Sequence, residues 1–129
     1  MNEPIWIGKR ALFLLHAESL AAYGGLEGLR SDVLLESALA RPRNIFAYEG
    51  DTNLARLAAA YAIGIAKNHP FADGNKRAAF LSIGVFLRLN GSRLIADETE
   101  AVRVMLAVAE GTLDEADLAE WIRSHIQAA

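Results

Sequence analysis

The chain contains no cysteine. That removes disulfides, thiolate metal sites and cysteine nucleophiles, and it suits a cytoplasmic protein. It has no excess of positive charge: the formal net charge is −3 and the pI is about 5.6, so the chain as a whole does not attract a phosphate backbone and direct nucleic-acid binding is not expected. It has no apolar run long enough to span a bilayer. The most apolar stretch, "LAAAYAIGIA" at 57–66, lies between Arg56 and Lys67, so no membrane association is expected. The first residues, "MNEPIWIGKR", lack the charge-then-apolar order of a signal peptide. Apart from short stretches there is no period-two alternation, and there are no internal repeats, linkers or low-complexity tracts. What remains is a chain of 129 residues, 53% hydrophobic and 22% charged, which is expected to form a single domain spanning 1–129.

Apolar residues recur at helical spacing almost throughout, and the pattern predicts an all-α bundle of about six helices. The first covers about 9–22, with Leu12, Leu15, His16 and Leu20 near one face, and stops at Gly24 and Gly25. Ser31 is placed to cap a second, "DVLLESALAR", which is expected to end at Arg41 because Pro42 disfavours helical dihedrals in the residue before it. The stretch "PRNIFAYEGD" then reads as a loop. Asp51 or Thr52 is expected to cap a third helix, whose Leu54, Leu57, Tyr61 and Ile65 share a core face and which Pro70 halts. A fourth, about 75–89, is apolar on nearly every side from Ala78 to Leu87 and is expected to be the central helix. Asp97 with Glu100, and Thr112 with Glu115, fit capping boxes for a fifth and a sixth. His16 and His125 read as structural.

One stretch departs from this apolar plan. "KNHPFADGNKRAAF" at 67–80 sets His69, Asp73, Asn75, Lys76 and Arg77 at the start of the fourth helix. Pro70 is expected to hold His69 extended, and Phe71 to anchor the loop in the core. Gly74, Asn75 and Lys76 fall where a helix leaves its first N–H groups unpaired, and Gly74 has no Cβ to obstruct an anion. Lys76 and Arg77 add positive charge beside them, and Arg77 can grip two phosphate oxygens. Asp73 is a hard oxygen ligand suited to a phosphate-bound Mg²⁺, and His69 can take a proton from a hydroxyl. Base, metal ligand and anion hole together are what the transfer of a phosphorus group to an alcohol needs. Each residue alone also fits a plainer role: Asp73 a cap, Lys76 and Arg77 a solvated first turn, His69 a core histidine. Two cations together in a first turn oppose the helix dipole, which favours an anionic partner there.

The nine residues "HPFADGNKR" resemble the Fic/Doc superfamily signature H-[PI]-F-x-[DE]-[GA]-N-[GK]-R, and the lysine at its eighth place resembles the Doc branch, the toxins of toxin–antitoxin modules. "LHAESLAAYGGLEGLRSDVLLESALARP" is similar to the amino-terminal half of that branch, and "FLRLNGSRL" and "AEGTLDEADLAEWI" to its carboxy-terminal part. The resemblance runs from about residue 10 to the end.

The resemblance implies a catalytic set of His69 as general base, Asp73 as Mg²⁺ ligand, Lys76 and Arg77. It implies an ATP-binding set of Phe71, Gly74, Asn75, Lys76 and Arg77. In the AMP-transferring Fic branch a glycine at the position of Lys76 leaves room for the nucleotide's phosphates. Doc-like proteins with lysine there resemble kinases in which the triphosphate lies reversed and the γ-phosphoryl moves. A protein kinase is therefore implied, with a threonine of translation elongation factor Tu as the family target and arrested translation as the outcome. The alternatives are an AMP transferase and an inactive antitoxin-binding module. The stretch "RPRNIFAYEGD" falls where Fic-fold proteins keep a target-aligning flap, which would assign that role to Phe46 and Tyr48; two aromatics folded onto the core read equally well. Arg30 is similar to a Doc position near the groove, and a capping or packing role fits it as well. The inhibitory S/T-x-x-x-E-[GN] helix of many Fic proteins has no match, since Ile45 stands where Ser or Thr is needed. Restraint is then expected from a separate, Phd-like antitoxin chain laid as a helix in a groove.

Overall fold

The computed structural model describes residues 2–129. They form α1 (Lys9–Tyr23), α2 (Asp32–Glu49), α3 (Leu54–Asn68), α4 (Asn75–Leu89), α5 (Glu98–Glu110) and α6 (Glu115–His125). The all-α reading holds, with one addition. Strands β1 (Ser92–Leu94) and β2 (Ile126–Ala128) pair antiparallel, Ser92 opposite Ala128 and Leu94 opposite Ile126. This pair fastens the last residues to the end of α4.

The innermost helix is α3 and not α4 as the apolar run predicts. Every residue of α3 from Leu57 to Ala66 is buried, and α2, α4 and α6 pack around it. Alanines let those neighbours approach, and at Gly64 they come closest: a Cβ there would lie 3.2 Å from the Cα of Ala38 in α2. α4 keeps an outer side, with Val85 half-buried and Leu89 exposed.

α2 runs through Pro42 to Glu49, which corrects the expected end at Arg41 and the expected loop. A proline inside a helix costs roughly 3 kcal/mol. Here its ring is itself buried. Ile45 packs on the core, Phe46 meets Trp6 edge-on at 5.9 Å, and Glu49 accepts from Arg56 at 2.8 Å. Burial of large apolar side chains, at about 1.5–3 kcal/mol for each one fully covered, offsets the lost backbone bond. Residues 5–7, before α1, join no helix or strand. The Ile7 N–H donates to the Tyr61 hydroxyl (2.9 Å), and Trp6 stacks on Phe86.

The caps were partly legible. The Ser31 Oγ accepts from the Leu34 N–H (3.1 Å), and Asp97 caps α5 through the Thr99 N–H. Asn53, however, caps α3, with Asp51 accepting from Asn53 one step earlier. Asp114 rather than Thr112 caps α6. Neither expected capping box closes: Glu100 instead accepts from Trp121 Nε1 (2.9 Å) and pairs with His125 (2.7 Å), and Glu115 pairs with Arg41. His125 also bonds the Trp121 carbonyl (2.7 Å), in keeping with a structural role. Among the described residues no helix is long and apolar enough to cross a membrane.

Candidate active site

The loop between α3 and α4 is held at both ends. His69 caps the C-terminus of α3 with φ 50° and ψ 56°. Among the described residues it is the only non-glycine with positive φ. The extended conformation expected before Pro70 is therefore not adopted: the helix ends in a left-handed cap, with the His69 N–H still donating to Ile65. Arg30 holds that cap. Its Nε donates to the His69 carbonyl and its Nη2 to the Asn68 carbonyl, both at 2.7 Å. Capping is thus one role that Arg30 fills. The backbone continues the clamp, with the Arg30 and Ser31 N–H groups donating to the Pro70 carbonyl and the Ala72 N–H to Gly28.

Phe71 is buried against His16, the two rings stacked at 3.8 Å and 8°. It anchors the loop as expected, but a covered ring offers no surface to a nucleotide. Asn75 is also buried, and its amide is spent on the loop. Its Oδ1 accepts from the Phe71 N–H and its Nδ2 donates to the Phe71 carbonyl, each at 3.0 Å. Its Nδ2 also lies 3.5 Å from His69 Nδ1, at the limit of a hydrogen bond. The His69 side chain is otherwise open to solvent, as a base that meets an external hydroxyl must be.

Asp73 is exposed and doubly held: Oδ2 accepts from the Leu26 N–H (3.1 Å) and Oδ1 from the Gly74 N–H (2.9 Å). These bonds, Leu26 first and Gly74 second, with the charge of Arg77 behind them, hold its carboxyl below the ordinary carboxylate value. The close approach depends on Gly25, where a Cβ would come within 3.0 Å of Asp73 Oδ2. Gly74 plays a different part from the one expected. It sits at φ 75°, a left-handed conformation that favours glycine, a Cβ there would make only ordinary contact with His16 and Leu20 at 3.6 Å, and its N–H is taken by Asp73. The N–H groups left for a ligand are those of residues 75–77, at the start of a helix with no side-chain cap. Lys76 is exposed there. Arg77 lies with its guanidinium 4.3 Å from the centre of the Tyr23 ring, a cation–π contact that parks the side chain beside the helix start.

No cluster of three or more metal-ligating side chains occurs among the described residues, so no all-protein cage is present. One ionised, exposed carboxylate beside an open helix N-terminus suits Mg²⁺ instead, because that ion is usually held by one or two carboxylates plus substrate phosphates. Phe46 and Tyr48 lie outside this arrangement. Their backbone is helical, which removes the extended stretch a pairing flap would need; Phe46 packs on Trp6, and Tyr48 is 87% exposed.

The supports from Leu26 and Gly28, and His16 behind them, were not found by sequence reasoning as parts of the site. Beside them opens a groove of about 350 Å³ between α1 and residues 25–29, walled by Phe13, Ala17, Leu20, Ala21 and Leu29.

Residues 6–87 match the model of the Fic/DOC family. The chain is 32% identical over 117 residues to the protein kinase doc of Escherichia phage P1, a match that covers 91% of this chain and 92% of that one. It is 39% identical over 77 residues to the toxin Doc of Mycolicibacterium smegmatis, covering 59% of each.

Proposed function

The chain belongs to the Fic/Doc family, and on that premise we propose that it is a Doc-like toxin: a protein kinase that transfers the γ-phosphoryl of ATP to a Thr or Ser hydroxyl of a target protein. The observation that carries the reading is the loop from His69 to Arg77. It presents an exposed base, an ionised carboxylate and an uncapped helix N-terminus flanked by two cations. In the proposed reaction His69 accepts the hydroxyl proton as the target oxygen bonds to the γ-phosphorus. The bond from that phosphorus to the β–γ bridging oxygen breaks, and its electron pair leaves on ADP. The N–H groups of residues 75–77, with Lys76 and Arg77, hold the phosphate oxygens. Asp73 would hold Mg²⁺, which when bound draws negative charge from the phosphates. Translation elongation factor Tu is the proposed target and blocked translation the proposed consequence; both rest on the resemblance to the Doc branch.

The experiment supplies the purified chain and Mg²⁺ with ATP labelled at either the α or the γ phosphorus, together with elongation factor Tu or a bacterial lysate. Label from the γ position alone on protein is expected. Label from the α position would mean AMP transfer, and no label from either would mean an inactive binding module.

We propose further that a Phd-like antitoxin restrains the toxin by laying an amphipathic helix in the groove beside α1. Phe13 and Leu29, each 37% exposed, supply apolar anchorage there.

A further inference from the structure

His16 lies on α1, away from the signature, yet its Nε2 is 2.8 Å from the carbonyl oxygen of Asp73. A carbonyl only accepts, so Nε2 carries the proton and donates it. The ring is buried and stacked flat on Phe71, so its direction is fixed from the side as well. That carbonyl and the Gly74 N–H are the two ends of one planar peptide unit, and in a trans unit they point opposite ways. Pinning the carbonyl to α1 therefore aims the N–H outward, where it meets Asp73 Oδ1 at 2.9 Å. The unit needs such a pin: Gly74 sits at φ 75°, and a glycine on one side leaves the peptide able to turn over at low cost. A turned peptide would lose both bonds and present a carbonyl to the carboxylate.

We propose that His16 is a positioning residue for the phosphoryl-transfer site. By locking the Asp73–Gly74 peptide it presets the carboxylate of Asp73 for a divalent cation that arrives with the nucleotide. The inference rests on the Mg²⁺-dependent kinase reading above. A carboxylate free to turn would still bind the cation, but at higher concentration, because its ordering cost would then be met at binding.

Two substitutions separate positioning from folding. His16→Gln keeps an N–H donor at similar reach, whereas His16→Leu keeps the bulk and loses the donor. Binding of Mn²⁺ with a non-hydrolysable ATP analogue, followed by electron paramagnetic resonance, gives a readout that needs no turnover; melting temperature and the Mg²⁺ dependence of transfer accompany it. For His16→Leu we expect Mn²⁺ affinity to fall and the half-saturating Mg²⁺ to rise by about tenfold, the lower end of what loss of a supporting contact typically costs. His16→Gln should stay within about threefold of the wild type, near the weakening expected from one imperfect hydrogen bond. A folded His16→Leu that matches the wild type in both would overturn the inference while leaving the kinase reading intact. A wild-type chain that binds no Mn²⁺-nucleotide and transfers nothing would overturn both. Should His16→Leu not fold, nitrogen-15 NMR of the wild-type ring decides: a slowly exchanging Nε2 proton on His16 and a protected Gly74 amide support the lock, and an Nδ1–H tautomer refutes it.

Discussion

The guanidinium of Arg30 grips the carbonyl of His69 at 2.7 Å, and so fastens the proposed base in a left-handed conformation that side chains other than glycine rarely adopt. Strain of this kind persists only where neighbours overdetermine it, and it concentrates at sites that do chemistry. Here it turns the end of α3 sharply into the loop that carries Asp73.

The strain gives a test that separates stability from activity. The left-handed conformation costs a non-glycine residue roughly 1–2 kcal/mol, and glycine relieves it. His69→Gly should therefore be about 1 kcal/mol more stable to urea than His69→Ala, after the entropy glycine loses on folding. Both should lose ~10²–10⁴ in transfer rate, the usual cost of removing a positioned base. Equal stabilities for the two variants would contradict the strained cap, and undiminished transfer by either would contradict the role of base.

Acid should reveal the hold on Asp73. A carboxyl kept below its ordinary value of 3.8 by the Leu26 and Gly74 N–H groups adds stability that is fully present above the unfolded value and is lost as pH falls through the lower folded one. Asp73→Asn lacks that contribution. The difference in unfolding free energy between wild type and Asp73→Asn should thus be widest near neutral pH and shrink below about pH 4. A gap that does not change with pH would mean that the carboxylate's charge is not what its hydrogen bonds favour.

The cation–π contact predicts a graded effect on anion binding. Tyr23 is 68% exposed, and a contact of this type at an exposed site contributes about 0.5–1 kcal/mol. Tyr23→Leu should then weaken binding of sulfate or ATP two- to fivefold on the same scale, Tyr23→Phe should change little, and Arg77→Ala should weaken it more than either. Isothermal titration of the three variants measures this order. If Tyr23→Leu tightened binding, the ring would be competing with the anion for Arg77 rather than positioning it.

Much of the loop could be read from its own residues, because a helix stop, a proline, a glycine and a helix start all act locally. What could not be read came from contacts far along the chain. His16 and Asp73 are 57 positions apart, and Leu26 and Asp73 are 47; neither pairing leaves a local pattern. Glu115 and Glu100 sat at capping-box spacing but found Arg41 and Trp121 instead. Pro42 was a sound stop signal, overridden by packing that its neighbours acquire only in the folded chain. The central position of α3 was missed for a different reason. Its interior is built of alanines, which suit a surface helix as readily as a crowded core, while the larger residues of α4 signalled burial more loudly.

That crowding can be measured. Gly64 meets backbone rather than a flexible side chain, and at 3.2 Å from the Ala38 Cα an added Cβ would force α2 and α3 apart. Gly64→Ala should destabilise the fold by about 1–3 kcal/mol, the cost typical of overpacking, even though alanine is the better helix former by about 1 kcal/mol. The midpoint of urea unfolding should fall with the slope unchanged. A rise would show that the two helices have room to give.

The groove beside α1 makes the last prediction. An antitoxin segment that is disordered alone must offset its ordering cost through a long apolar contact, so a charge placed in the groove should weaken it far more than a charge at the rim. Ala17 faces the groove from the middle of α1, it is exposed, and none of the phosphate-holding or proton-transferring roles falls on it. Ala17→Glu keeps a good helix former at that position. Co-expressed with the product of a small adjacent gene, the wild-type chain should co-purify with it and show suppressed transfer. Ala17→Glu should transfer at the wild-type rate alone, and should escape suppression, because burial of an unpaired carboxylate against Phe13 and Leu29 costs several kcal/mol. If Ala17→Glu were suppressed as fully as the wild type, the inhibitory helix would have to lie elsewhere, and the polar hollow between α2 and α3 lined by Arg41, Asn44 and Arg56 would become the next place to look.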